Sequence, residues 1–205
     1  QKEKIINSKN IANPGCFATA IQLGLIPLIE KGLIDEEIHT SAITGSTGAG
    51  IKPSTTSHFS WRNNNISWYK PFTHQHLNEI NYSFKNLSNK KNKINFLPIR
   101  GDFTRGIFCT SYFKSSLKLS DLEIIYNEYY KRDPFTFVSK NEIHLKQVIN
   151  TNKCLIHLHQ NKDIIMVTSI IDNLIKGASG QAVQNMNLMF GLKEETGLKL
   201  KSSIF

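Results

Sequence analysis

The chain has 205 residues, 40% of them hydrophobic, with a formal net charge of +9. It can bury a core as one or two domains. No apolar run approaches the ~20 residues of a membrane span. The three cysteines form no CxxC pair and no disulfide framework, so a reducing, cytoplasmic setting is expected. The positive charge is spread over loops and helix ends, with one cluster at Lys90-Lys91-Asn92-Lys93. No aromatic-basic module accompanies it, so a nucleic acid is not expected, and an anionic substrate or a solvated surface explains the charge equally well.

Gln1 to Ile11 read as a short strand-like piece around Lys4-Ile5-Ile6-Asn7 with no start signal. The central stretch follows. Pro14-Gly15 is a turn signal, and Cys16 after it opens the apolar run Ala20-Ile21-Gln22-Leu23-Gly24-Leu25. Cys16 is therefore expected in the first turn of a helix. Free backbone N–H groups there favour an anion, so a depressed thiol pKa and a nucleophilic role are expected. The alternative for any lone cysteine is an inert core residue. Pro27 either kinks this helix or opens a second one.

Ile38 to Thr44 reads as a strand on its β-branched content, and it feeds the small-residue loop Gly45-Ser46-Thr47-Gly48-Ala49-Gly50. That loop lacks the closing Gly-Lys-Ser/Thr of a phosphate-binding P-loop. His74-Gln75-His76 precedes a helix opened by Asn78-Glu79. On a strand the two histidines would share a face, as metal ligands do, but no third ligand stands at workable spacing. A general acid/base histidine oriented by a carboxylate is the better reading, and no metal is expected.

Residues 86–95 read as a surface loop. Arg100 and Arg105 flank the entry to a strand at Ile107 to Phe113 and are either anion clamps or surface arginines. Ser120 reads as the cap of a helix reaching about Lys131, stopped by Asp133-Pro134. Strands are expected at Lys146 to Asn150, Cys154 to His159 and Ile164 to Ile171. His157 and His159 should face solvent opposite Ile156 and Leu158. After Gly177-Ala178-Ser179-Gly180 a helix from Gln181 to Phe190 carries an apolar stripe, Val183, Met186 and Phe190. It also carries a row of amides, Gln181, Gln184 and Asn185. Those amides either meet a polar ligand or form a wet face.

These motifs, in this order, resemble those of the N-acetyl-γ-glutamyl-phosphate reductase family. The segments that carry the resemblance are Asn13 to Thr19, Thr44 to Gly50, His74 to Ile80, Thr104 to Ile107 and Asp172 to Asn187. It implies an α/β fold, with an α+β catalytic and oligomerisation domain over residues 16–175 and a largely antiparallel mixed sheet. Residues 1–15 would be a remnant of a dinucleotide-binding half, and 176–205 a C-terminal helix returning to it. The implied reaction is NADPH-dependent reduction of an acyl phosphate to a semialdehyde through a thioester on Cys16. His74 is the expected acid/base, with His76 a close second. Arg105, Glu79 and Lys52 would meet the substrate. Gly45, Ser46, Gly48, Gly50, Gln181 and Asn185 would border NADP(H). A homodimer or homotetramer is implied.

The departures bear on the substrate. Ile51 replaces the arginine usual after Gly-Ala-Gly, Gln75 the arginine between the histidines, and Asn78 a proline. Arg100-Gly101-Asp102-Phe103 lengthens the lead-in to Arg105-Gly106-Ile107. The acyl group is left open among N-acetyl, N-succinyl and an aminoadipate analogue. The family's glycine fingerprint for the dinucleotide does not precede Cys16, so the isolated chain is expected to fold, self-associate and be inactive. A non-catalytic oligomerisation domain is the alternative.

Overall fold

The computed structural model describes residues 1–88, 90 and 92–202. It shows a seven-stranded mixed sheet in the order β2-β3-β1-β4-β7-β6-β5. The strands are β1 (Ile38–Thr44), β2 (Ser67–Trp68), β3 (Ile94–Arg100), β4 (Ile107–Lys114), β5 (Thr136–Ser139), β6 (Cys154–Asn161) and β7 (Ile164–Ile171). β1 pairs parallel with β3, and β5 with β6. The other four pairings are antiparallel. The expected α+β architecture is thus present. So are the expected strands at β1, β4, β6 and β7.

β3 has a proline at its centre, which hides the strand from a sequence reading. The Pro98 carbonyl accepts the Tyr69 N–H (3.1 Å), so this residue's polar groups point to the outer edge, away from β1. Its missing N–H therefore removes no bond to β1. Residues 86–95, read as a loop, begin inside a helix and end inside β3. Of that stretch Asn89 and Lys91, the latter in the basic cluster, lie outside the described residues.

Helices cover one face of the sheet. α1 spans Lys2–Ile6, α2 Cys16–Glu30, α3 Phe59–Arg62, α4 His76–Leu87, α5 Leu119–Tyr130 and α6 Gly180–Met189. α2 lies against β4 and β7. Its Phe17, Ile21, Leu25 and Leu28 join Ile107, Phe113, Ile156 and Val167 in one core. Gly24 lets it approach closely, since a Cβ there would sit 3.2 Å from Ser169 Oγ. Pro27 neither ends α2 nor starts a new helix. A helical proline frees the carbonyl four residues back, here that of Leu23. The Tyr130 hydroxyl donates to that carbonyl and the Tyr126 hydroxyl to that of Gly24. α5 thus supplies the bond that the proline removes.

Three local readings are corrected. The N-terminal piece is helical, α1, rather than strand-like. Lys146 to Asn150 is a 3₁₀ turn at Leu145–Gln147 followed by irregular chain. There the apolar Val148 and Ile149 mimic a strand, while Gln147 and His144 close a capping box. Ser120 does not cap α5, which begins at Leu119 with Lys118 before it and no side-chain cap.

The second face of the sheet carries an apolar row through all seven strands in register. It runs Trp68, Ile99, Ile43, Phe108, Ile170, Leu155, Phe137. Ile143, Leu145 and Val148 pack over its inner part, at Phe108, Ile170 and Leu155. Trp68 and Phe137 are exposed. His157 and His159 lie on this face, opposite the buried Ile156 and Leu158, as alternation predicts.

Candidate active site

Cys16 is the first residue of α2, with Gly15 as its extended cap. Two side chains one turn apart at the start of α4 hold that cap. The Gly15 N–H donates to both Glu79 oxygens (3.1 and 3.2 Å). The His76 ring packs on Gly15 so closely that a Cβ there would lie 2.3 Å from His76 Nε2. His76 and Glu79 are three residues apart and share a helix face. Glu79, expected to meet substrate, instead grips the turn that leads into Cys16. Behind Cys16, Gly177 is equally close, and a Cβ there would sit 2.8 Å from the Cys16 Cβ.

These residues floor an open cleft of about 520 Å³, the size range of small-molecule sites. Cys16, His74, His76, Tyr69, Lys70 and Arg100 line it, with Thr47 to Gly50 and Gly177-Ala178 on another side.

The thiol is not the preformed thiolate that its helix position predicts. Burial pushes its pKa up, and the Glu79 charge adds to this. The backbone N–H groups at the helix start oppose burial but do not outweigh it. A neighbouring base is therefore needed to take its proton. Cys109 and Cys154 are fully buried and pushed up to about 12, as inert core thiols.

His74 is 4% exposed and packs edge-on against Phe17, Tyr69 and Phe96. Its Nδ1 accepts the His76 backbone N–H (3.2 Å). Burial, then the neighbouring His76 and Lys70, lower its pKa to about 4. Burial also lowers that of His76. Both rings are neutral at pH 7, and the His76 Nδ1 is buried without a partner among the described residues.

This gives a pH prediction. The folded-state pKa of His74 is depressed, so its contribution to stability is full above the unfolded value near 6.5. It is lost as pH falls through about 4. Between pH 7 and 4 the loss should be about 3 kcal/mol. Urea unfolding at both pH values should show His74→Gln losing correspondingly less than the parent. Equal losses in the two proteins would refute it.

Other expected site residues lie elsewhere. Arg105 is not in the cleft: its Nη2 donates to Asp172 Oδ1 and its Nε lies by Oδ2, both at 3.2 Å. Lys52 is exposed outside it. Gly48 and Gly50 line the cleft, but Gly45 and Ser46 are pinned behind it, donating backbone N–H groups to Gly106 O (2.9 Å) and Phe103 O (2.8 Å).

The α6 amides do face inward, and Met186 and Phe190 face outward. They bind protein, however. Gln181 donates to Asn185 (3.0 Å), and Asn185 to Asn13 (3.0 Å), which itself borders the cleft. Gln181 and Gln184 accept from the buried Lys176 Nζ, each at 2.8 Å.

Tyr69 and Asn173 were not singled out by the sequence. Asn173 accepts the Gly106 N–H (2.6 Å) and donates to Thr47 Oγ1 (3.0 Å), tying the small-residue loop to the end of β7. Its place beside Asp172 in one motif is the available signal.

A thiol at a helix start beside a histidine, on a mixed sheet with one open face, fits a known class. Residues 16–173 match the family described as semialdehyde dehydrogenase, dimerisation domain, and the chain belongs to that family. Among its relatives are proteins named N-acetyl-gamma-glutamyl-phosphate reductase. Those of Parabacteroides distasonis and Phocaeicola vulgatus are each 58% identical over the whole chain, and that of Christiangramia forsetii is 56% identical. The chain spans 64% of the length of each. Aspartate semialdehyde dehydrogenase II from Vibrio cholerae, complexed with ASA, shares the fold with a TM-score of 0.69. It is 15% identical over 93% of this chain and 66% of that one. A probable aspartate-semialdehyde dehydrogenase from Pseudomonas aeruginosa gives 0.70 at 11% identity over the same shares.

Proposed function

We propose that this chain is the acyl-transfer and self-association part of an NADPH-dependent N-acetyl-γ-glutamyl-phosphate reductase, a cytoplasmic enzyme of arginine biosynthesis. The observation that carries the reading is Cys16 at the start of α2, sharing one cleft floor with His76. The names of its relatives supply the substrate.

The Cys16 thiol loses its proton to neutral His76 as sulfur attacks the γ-carbonyl carbon. The C–O bond to phosphate breaks, phosphate leaves, and a thioester forms. The N-terminus of α2 stabilises charge developing on the carbonyl oxygen. His76 then returns its proton to that oxygen once the acyl carbon is reduced, and takes it back as the C–S bond breaks to release the aldehyde. The reading thus moves the acid/base role from His74 to His76, because His74 is enclosed and its Nδ1 already accepts a bond.

A reduced nicotinamide supplies hydride when bound. Gly48, Ala49, Gly50, Gly177 and Ala178 present small side chains or none along one side of the cleft, room that a flat ring needs. Gln181 and Asn185 are bonded within the protein and hold this wall rather than the ring. The open sheet face with its apolar row is the self-association surface, in line with the family's description as a dimerisation domain.

The test uses a reductase of the relatives' full length that carries these residues. It should form semialdehyde from N-acetyl-γ-glutamyl phosphate with NADPH at least tenfold more efficiently than from the N-succinyl or aminoadipate analogue. Preference for either analogue would overturn the acyl assignment. Self-association without any reduction would favour the non-catalytic reading.

A further inference from the structure

We propose that Arg100 is the anchor for the carboxylate end of the substrate, a place the sequence motifs assign to Arg105. The assignment rests on the reductase reading above.

Arg105 does not line the cleft, and its charge is already paired with the fully buried Asp172. Arg100 is different. It lines the cleft that holds Cys16. Among the described residues no carboxylate lies within ion-pair distance of it, and its Nη1 makes only a long 3.5 Å contact with Thr56 Oγ1. Its Nε is buried without a partner. Of the described side chains with such an orphaned atom, only Arg100 and His76 border this cleft. The nearest acid in sequence, Asp102, is turned away to accept the Asn64 N–H (2.5 Å).

The side chain is held for this purpose. Its Cζ lies 4.6 Å from the centre of the Tyr69 ring, which fixes the plane of the fork. Its backbone carbonyl accepts from the buried Arg62 (2.8 Å), so the main chain is secured independently of the guanidinium. Tyr69 in turn packs against Phe17, next to Cys16, with ring centres 6.5 Å apart. Arg100, Tyr69, Phe17 and Cys16 thus all line one cleft, with the two aromatic rings in contact with each other. An acyl phosphate with its carbonyl at Cys16 has its far carboxylate free to reach the fork, where two N–H groups can accept it side by side. Lys70, also lining the cleft, adds a second positive charge. The reacting carbonyl end is then left to the N-terminus of α2.

The test is alkylation of Cys16 in the 205-residue chain at pH 8.5, followed by peptide mass spectrometry. Iodoacetamide is neutral, and iodoacetate carries a carboxylate. Arg100→Gln should slow the iodoacetate reaction about tenfold and change the iodoacetamide rate less than twofold. N-acetylglutamate should protect Cys16, and Arg100→Gln should raise the half-protecting concentration about tenfold. Arg100→Lys should restore part of both effects, and Arg132→Gln, an equal loss of net charge elsewhere, should change neither. Unchanged iodoacetate selectivity and unchanged protection in Arg100→Gln overturn the anchor and leave the reductase reading standing. Absence of protection in the parent chain overturns both. Loss of helical circular dichroism in Arg100→Gln shifts the decision to Arg100→Lys, where parent-like selectivity and protection overturn the planar fork's role.

Discussion

Asp172→Ala should lower the unfolding free energy by about 3–5 kcal/mol, the scale for stripping one partner from a buried ion pair. The Asp172 carboxylate is completely buried. It accepts the N–H groups of Asn150 (2.8 Å), Leu174 (2.8 Å) and Ile175 (3.0 Å), besides the Arg105 guanidinium. Alanine leaves three amides and a half-buried cation without that acceptor. A domain of this size is stable by only about 5–15 kcal/mol, so the loss is a large share of the total. The damage should also reach the site, because Asp172 starts the π-helical turn Ile175–Ser179 that presses Gly177 on Cys16. Urea unfolding measures the effect. Asp172→Asn, which keeps one acceptor oxygen, should lose less. A loss below about 1 kcal/mol for alanine would contradict this account of the turn.

The second large effect is kinetic. In a reductase of the relatives' length carrying these residues, His76→Ala should lower kcat by about 10²–10⁴, the range for removing a general acid/base. The burial-raised thiol makes the base necessary for the first step. His76 is the ring that meets Gly15 on the turn leading into Cys16. His74→Gln should lower kcat by less than about tenfold, since that ring is enclosed and accepts a backbone N–H. The reverse order would return the acid/base role to His74. Parent kcat in both variants would remove the role from both.

The helix start at Cys16 was legible because the signal is local: a Pro-Gly turn, a thiol and an apolar run meet within a few residues. β1, β4, β6 and β7 were legible for the same reason, through β-branched content and alternation. β3 was hidden by Pro98, whose harmlessness depends on which edge its nitrogen faces. The continuity of α2 through Pro27 was hidden too, because the compensating hydroxyls of Tyr126 and Tyr130 are about a hundred residues away. The same limit applies to the charges. Arg100 and Arg105 look alike in sequence, and only the fold shows that Asp172 has taken one of them. The thiol pKa went the other way from its helix position because burial is a tertiary property. The row of amides on α6 was legible from periodicity, but its inward direction and its partners, Lys176, Asn13 and Glu194, were not.

The most direct test mixes the chain with N-acetyl-γ-glutamyl phosphate in the absence of cofactor and follows phosphate release and peptide mass. One N-acetylglutamyl group should appear on the Cys16 peptide, labile to hydroxylamine, with one phosphate released per chain, and Cys16→Ala should give neither. Acylation at Cys109 or Cys154, or the same phosphate release from Cys16→Ala, would contradict the assignment of Cys16 as the acyl acceptor.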